Sequence, residues 1–356
     1  GGRLGIASRL GGWVLVTHAR DNSRDYPLGS SAHTTGTAPM TVKVGIVGWG
    51  EIARVHASTL RKAGAQLRGV ISRDGTGPDG VERFESLDAM LPHVDAVTIA
   101  VPNHLHADCC LAVVRAGRAV MVEKPLIISA EQLDRVEHEL LAANVPIHVG
   151  FRLHWNPRLV LLRDALEHPV EINCTYEMGI DSLAADKNWT RQFAQTGGAF
   201  FTLGVHMLDL ARWLLRLDGA PLSDLHASAD GCADDVDYPL HAEVEGRGPS
   251  GARVVAVADT RGTLPYRIVV SVRDRDDPTP QRVELDASSE KIEYEAMMCD
   301  FVEATARRRV DRAGVREILQ VHRELLRART LSAASADPHP ASSTAITPTE
   351  TGALDR

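Results

Sequence analysis

The chain has no Cys-x-x-Cys pair. Its five cysteines, Cys109, Cys110, Cys174, Cys232 and Cys299, are odd in number and scattered, which argues against a disulfide framework and a structural zinc site. The histidines fall mostly in tails and loops and show no metal-ligand spacing, so no metal is expected. No apolar run approaches the roughly 20 residues that a membrane-spanning helix needs. Basic charge is not in excess: 39 Lys and Arg stand against 47 Asp and Glu, a net charge of −8. That balance speaks against a nucleic-acid or anionic-membrane partner. What remains is an ordinary globular composition, 44% hydrophobic and 24% charged over 356 residues, long enough for two domains. A cytoplasmic setting is expected.

The two ends differ from the middle. Trp13-Val14-Leu15-Val16 follows Arg3 and Arg9 as a faint echo of a signal peptide, but the apolar run is short and lacks a small-residue cleavage site. Asp21 to Ala38 is rich in Ser, Thr, Gly and charge, and Met40 closely precedes the first strand. Residues 1–39 therefore read as a disordered extension, and 332–356, with repeated Ala, Ser, Thr and Pro, as a disordered tail.

Between them, Val44-Gly45-Ile46-Val47 reads as a buried strand that runs into Gly48-Trp49-Gly50-Glu51-Ile52-Ala53 and then into a helix. This is the strand–Gly turn–helix context of a dinucleotide site. Gly48 permits the tight turn, Gly50 lets the backbone approach a pyrophosphate, and the helix N-terminus offers free N–H groups. A second strand over Gln66–Ser72 is followed by a turn cluster, Asp74 to Gly80, where a helix would be usual. Ser86 is placed to cap a short helix, and Ser129 with Gln132 forms a capping box for another. Buried strands over 95–101, 119–122 and 147–151 alternate with helices, which predicts a doubly wound parallel sheet over 40–151.

The pattern then changes. Val170, Ile172, Cys174, Tyr176 and Met178 alternate with polar residues, and further strand candidates lie at 252–258, 267–272 and 282–285. One helix, Ala199 to Leu215, sits among them, and helices return at 295–307 and 315–330. Residues 152–331 are thus expected to form an α+β domain on a mostly antiparallel open sheet. An uncovered sheet face would offer a surface for homo-oligomers.

Two residues stand out for chemistry. Lys124, in Glu123-Lys124-Pro125, follows a parallel strand at the edge where open α/β sheets bind ligands, and its ammonium can stabilise charge on a substrate oxygen. His206 can take a proton near neutral pH. On an α-helix Thr202 and Asp209, four residues before it and three after, would share its face. The second strand runs out at Ser72-Arg73. A hydroxyl and a guanidinium there favour the 2′-phosphate of NADP over the 2′-hydroxyl of NAD, whereas Asp74 would take the NAD role if the strand ended later.

These motifs, with Pro102-Asn103-His104-Leu105-His106 and the run from Gly197-Gly198 to His206 and Asp209, resemble the Gfo/Idh/MocA family of NAD(P)-dependent oxidoreductases over about residues 41–330. The resemblance implies a hydride transfer between a nicotinamide and a secondary hydroxyl or ketone of a sugar, nucleotide sugar or cyclitol. It makes Lys124 the substrate-orienting lysine and His206 the proton-transferring residue. It places Pro102, Asn103, His106 and Glu123 beside the cofactor and Arg152 and Asn156 near the substrate, and it implies a cis peptide at Lys124-Pro125. Thr202 departs from the family, which commonly has Asp or Asn there. A sensor that binds NAD(P) without turnover, or an NAD-dependent glycosidase, is the rival expectation on the same fold.

Overall fold

The structure is a computed structural model that describes residues 41–335, apart from 180–187, 232, 234, 263–265 and 278. The extension at 1–39, Cys232 and the tail beyond 335 lie outside the described residues. Among the described residues no helix is long and apolar enough to cross a membrane.

The first half alternates as the apolar periodicity requires. Its elements are β1 (Lys43–Val47), α1 (Glu51–Lys62), β2 (Gln66–Ile71), β3 (Glu82–Arg83), α2 (Leu87–Met90), β4 (Ala96–Ile99), α3 (His106–Arg115), β5 (Ala119–Val122), α4 (Ala130–Ala142) and β6 (Ile147–Val149). All six strands pair in parallel in the order β3-β2-β1-β4-β5-β6. β4 and β5 are buried along their whole length because helices cover both faces of the sheet. From β1 the chain crosses to β2 on one side, while β4 pairs on the other, so a crevice opens at the carboxyl ends of β1 and β4. The expected caps are present: Ser86 accepts from Ala89 N at 3.2 Å and Ser129 from Gln132 N at 3.2 Å. The turn cluster carries no helix, and β2 passes directly to the two-residue β3.

The second half holds α5 (Pro157–Ala165), β7 (Pro169–Glu177), α6 (Phe193–Thr196), α7 (Val205–Leu214), β8 (Ser223–Asp230), β9 (His241–Arg247), β10 (Arg253–Asp259), β11 (Arg267–Asp274), β12 (Gln281–Leu285), α8 (Glu290–Arg307) and α9 (Arg312–Ser335). Its sheet runs β12-β11-β7-β10-β9-β8, antiparallel except for the β7–β10 pair. The expectation of a mostly antiparallel sheet holds, although β8 and β9 were not anticipated. Strands β7, β9 and β11 alternate buried and half-buried residues, since α7 packs on one face only. The other face carries a ladder of ion pairs, among them Arg253–Glu171 at 2.8 Å and Arg267–Glu284 at 2.8 Å.

One expectation needs correction. The helix anticipated over Ala199–Leu215 is not one α-helix: residues Phe200–Gly204 form a π-helical turn that leads into α7. The two halves also share core across residue 151. Tyr294, Met297, Met298 and Phe301 form one stripe of α8, and they pack with Val44, Ile46, Ala53, Ala57 and Leu60 of β1 and α1. Each contributes roughly 1.5–3 kcal/mol by burial, so the parallel sheet is completed by a helix from the far end of the chain. Helix α9 also runs on past the expected end at 331 to Ser335.

Helix α9 is locked to α7 by a buried charge cluster. Arg212 is fully buried, with Nε 2.6 Å from Glu317 and Nη1 2.8 Å from Glu324. Its Nη2 donates to Ala220 O at 2.9 Å, and Glu324 also accepts from Leu222 N at 2.7 Å. Every charge is paired, and removing the guanidinium would leave two carboxylates facing each other. Arg212→Met is therefore expected to destabilise the fold by about 3–5 kcal/mol, read as a lower urea midpoint. An unchanged midpoint would show that Glu317 and Glu324 find other partners.

Candidate functional site

The crevice at the strand ends gathers most of the residues singled out above. Gly48 has φ +96°, and a Cβ there would meet Ala100 O at 2.2 Å, so the turn admits only glycine. Its N–H donates to Ile71 O at 2.8 Å. Gly50 is extended, a Cβ on it would meet nothing within 4 Å, and no side chain caps the first turn of α1. The backbone is thus open to a large anion at a helix N-terminus. Ile52 is 37% exposed at that turn, and Arg54 lies over the Trp49 ring. The donor set fits a dinucleotide pyrophosphate.

At the end of β2, Arg73 is exposed. Ser72 Oγ donates to Thr76 O at 2.5 Å, and Asp74 accepts from Thr76 N at 3.1 Å and Thr76 Oγ1 at 2.7 Å. Those Thr76 bonds hold the Asp74 carboxyl below its usual range. Asp74 is thus occupied in its own turn.

The loop after β4 begins at Pro102 and forms a single turn over Asn103–Leu105. Asn103 is buried and donates to Thr196 O at 3.3 Å, which ties this loop to the α6 region. His106 faces inward, with Nδ1 2.7 Å from Pro125 O and Nε2 2.8 Å from Val101 O. Each ring nitrogen faces a main-chain carbonyl and the neutral ring donates to one of them at a time, so His106 sits between the two loops. Burial holds it below the ordinary histidine range.

Beyond β5, Glu123 also turns inward. His56 Nε2 lies 2.9 Å from Oε1, and Tyr294 Oη lies 3.5 Å from it. Burial pushes the Glu123 carboxyl up, but the His56 hydrogen bond and the Lys124 charge outweigh it and the net shift is downward. Lys124 points the other way, toward the second half. Its Nζ donates to Thr202 O at 3.1 Å. Burial lowers its pKa, and the Glu123 charge opposes that. The Lys124-Pro125 peptide is cis, as the resemblance implied.

His206 is 4% exposed, and its Nδ1 has no hydrogen-bond partner among the described residues. Burial, then the charges of Lys124, Arg152 and His154, drive its pKa well below the ordinary value. The expected flanking pairs are not formed. Within the π-helical turn, Thr202 Oγ1 donates back to Gly198 O at 2.9 Å, and its carbonyl receives Lys124. Asp209 Oδ2 instead lies 2.8 Å from His154 Nε2. Burial raises the Asp209 pKa and His154 opposes it. The His154 ring stacks on Trp213, with centroids 4.9 Å apart.

Arg152 and Asn156 lie on the turn after β6, and both are buried. Arg152 is bound to Glu293, to Tyr266 Oη and, at 2.9 Å, to Glu290. Asn156 donates to Glu293 at 2.6 Å and caps α5 through Arg158 N. Sequence reasoning missed Glu290, Glu293, Tyr266 and Tyr176, whose ring stands 5.9 Å from that of His206. Their partners lie far along the chain and leave no spacing signal.

Three of the buried histidines yield a pH expectation. Burial depresses the folded pKa of His106 and His206, and it pushes His322 on α9 down to about 4. The unfolded chain binds those protons first, near pH 6.5. Their contribution to stability is therefore complete above that pH and is lost as pH falls toward the folded values. Urea midpoints measured between pH 7.5 and 4.5 should fall, and a flat profile would mean that the imidazoles are charged in the folded protein.

Comparison with known proteins agrees with this geometry. The model of an oxidoreductase family with an NAD-binding Rossmann fold matches residues 42–151, the parallel sheet, and that of the GFO/IDH/MocA C-terminal domain matches 161–284. Inositol 2-dehydrogenase 1 of Saccharopolyspora erythraea is 31% identical over 195 residues, covering 49% of this chain and 55% of the relative. Inositol 2-dehydrogenase of Rhizobium meliloti is 27% identical over 186 residues, 49% of this chain and 56% of the relative. The chain thus spans about half the length of the relatives it matches. Among solved structures, GenD2 from gentamicin A biosynthesis, in complex with NAD, superposes with a TM-score of 0.74 at 21% identity, over 85% of this chain and 97% of that one. At that identity the likeness is one of fold. With both family models matched in order along it, the chain belongs to the GFO/IDH/MocA oxidoreductase family.

Proposed function

We propose that the protein is a nicotinamide-dependent dehydrogenase that interconverts a secondary hydroxyl and a ketone on a sugar or cyclitol. The observation that carries this reading is that Lys124 and His206, from different halves of the chain, come close enough for the lysine's charge to act on the imidazole. Lys124 reaches Thr202, one turn before His206, and its charge bears on the imidazole. The names of the relatives, inositol 2-dehydrogenases, support a polyol substrate.

Gly48, Gly50 and the first turn of α1 would hold the cofactor's pyrophosphate, with Trp49, Glu51, Ile52, Pro102 and Asn103 flanking it. When bound, the nicotinamide supplies the two-electron hydride chemistry. The chain's own residues manage the proton. Because His206 is held neutral by burial, it has a free ring nitrogen to receive the substrate hydroxyl proton. Lys124 donates to the same oxygen and offsets the negative charge that develops there. Glu123 is held low in pKa, and its negative charge opposes the loss of the lysine's proton that burial favours. Arg152 and Asn156 act indirectly: their donors are committed to Glu290, Glu293 and Tyr266, which fix the wall of the pocket.

Lys124→Met and His206→Ala should each lower turnover by roughly 10²-fold or more while leaving cofactor affinity nearly intact. A screen of sugars and cyclitols that follows reduced-nicotinamide absorbance finds the substrate; native-rate turnover by either variant removes that residue from the mechanism. Absence of turnover with bound cofactor would favour a sensor.

NADP(H) is the preferred cofactor in this reading. Arg73 is exposed at the end of β2, and Asp74 spends Oδ1 on Thr76 within its own turn. Arg73→Ala should weaken NADPH binding selectively and flatten its dependence on salt. Equal losses for NADPH and NADH would refute the preference. The ion-paired open face of the second sheet is the surface proposed for self-association.

A further inference from the structure

The segment that carries Lys124 leaves the parallel sheet at Val122, so its main chain must find partners elsewhere. Proline at 125 has no N–H, which makes Leu126 N–H the first donor after the lysine. Leu126 is fully buried, and its N–H donates to Nε2 of His322 at 3.0 Å. His322 lies on α9, 196 residues away in sequence, and is itself fully buried.

The geometry fixes the state of this imidazole. His322 Nδ1 lies 2.7 Å from Ile318 O, and a carbonyl can only accept, so Nδ1 bears the proton. Nε2 then bears the lone pair that Leu126 N–H requires. Both ring nitrogens are satisfied in one tautomer, with no alternative that keeps both bonds. A charged ring would set an N–H against the Leu126 N–H. The neighbouring groups agree: the ring packs near Phe151, and the titratable side chain that acts on it is His106, itself buried and depressed.

From this we infer that His322 is a positioning residue for Lys124: by accepting from Leu126 N–H it sets where the lysine-bearing loop stands relative to His206. The inference rests on the dehydrogenase reading, in which Lys124 meets the reacting oxygen. His106 holds the carbonyl of Pro125 and His322 holds the next N–H, so the main chain just beyond Lys124 is pinned from α3 on one side and α9 on the other. No carboxylate or substrate contact is assigned to His322; it acts only through the loop.

The test uses the full chain with two substitutions. His322→Leu removes the acceptor with a side chain of similar bulk, whereas His322→Gln keeps an oxygen that can accept from Leu126 N–H. His322→Leu should lower kcat by roughly 10-fold to 100-fold through misplacement of the lysine, with the dissociation constant for reduced nicotinamide unchanged within about twofold. His322→Gln should recover to within about threefold of the native kcat. A second readout needs no substrate. Reductive methylation with 13C-formaldehyde makes the lysines visible by NMR, and Lys124→Arg identifies the Lys124 resonance. Its titration midpoint should rise toward the ordinary lysine range in His322→Leu and return in His322→Gln. If His322→Leu does not fold, the native chain and His322→Gln still decide the matter: the His322 ring must show a bare Nε2 and a protonated Nδ1, and Lys124 must titrate alike in both. Native kcat in His322→Leu overturns the inference, as does a protonated Nε2 in the native chain. Equal losses of turnover and cofactor affinity in both variants also overturn it, since they mark His322 as general core support. Absence of turnover in the native protein, with the Lys124 titration following His322 as stated, sinks the dehydrogenase reading and leaves the positioning role in place.

Discussion

Everything in the site depends on how the main chain is held where it leaves β5. A strand inside a sheet has its polar groups satisfied by its neighbours; past the last residue that support stops, yet residues 125–128 remain buried. The molecule supplies side chains in its place. His106 meets Pro125 O, His322 takes Leu126 N–H, Gln132 takes Ile128 N–H at 2.8 Å, and Arg329 donates to Ile128 O at 2.9 Å. A short irregular segment is thereby made as determinate as a strand. Because Lys124 sits at its head, the determinacy passes to the ammonium.

The charges around that ammonium are sorted by partner. Glu123 turns back to His56, whereas Arg152 is bound to Glu290 and Glu293 at the start of α8. Full partnering leaves these groups little freedom to move or to change protonation. Lys124 and His206 are held more loosely: one gives a hydrogen bond to a main-chain carbonyl, and Nδ1 of the other, like that of His56, has no partner among the described residues. An unsatisfied buried nitrogen is costly, and in the proposed reaction a nitrogen of this ring receives the proton.

Much of this could be read from the residues, and what could not has a common cause. The glycine turn, the strand ends and the serine caps are local signals, and each lies where spacing placed it. β8 and β9 were missed because their buried positions are filled by small residues such as Ala242 and Gly246, so the alternation carries little hydrophobic contrast. The Thr202–His206–Asp209 pairs did not form because other partners took the flanking groups: Thr202 Oγ1 bonds back to Gly198 O, and Asp209, on the same regular helix as His206, lies against His154. The partners that matter most, His154 for Asp209 and His322 for Leu126, lie 55 and 196 residues away. Period and spacing cannot report them.

The docking of α8 on α1 and β1 has a consequence for the order in which the protein becomes itself. During synthesis the glycine turn and its strands emerge first, but the outer face of Val44, Ile46, Ala57 and Leu60 has no cover until Tyr294, Met297 and Phe301 have been made. Until then the nascent half presents an apolar patch rather than a finished binding domain. Nucleotide binding and the closing of the second half thus arrive together, and the N-terminal half cut free at 151 would be a fragment in search of its helix rather than a smaller protein.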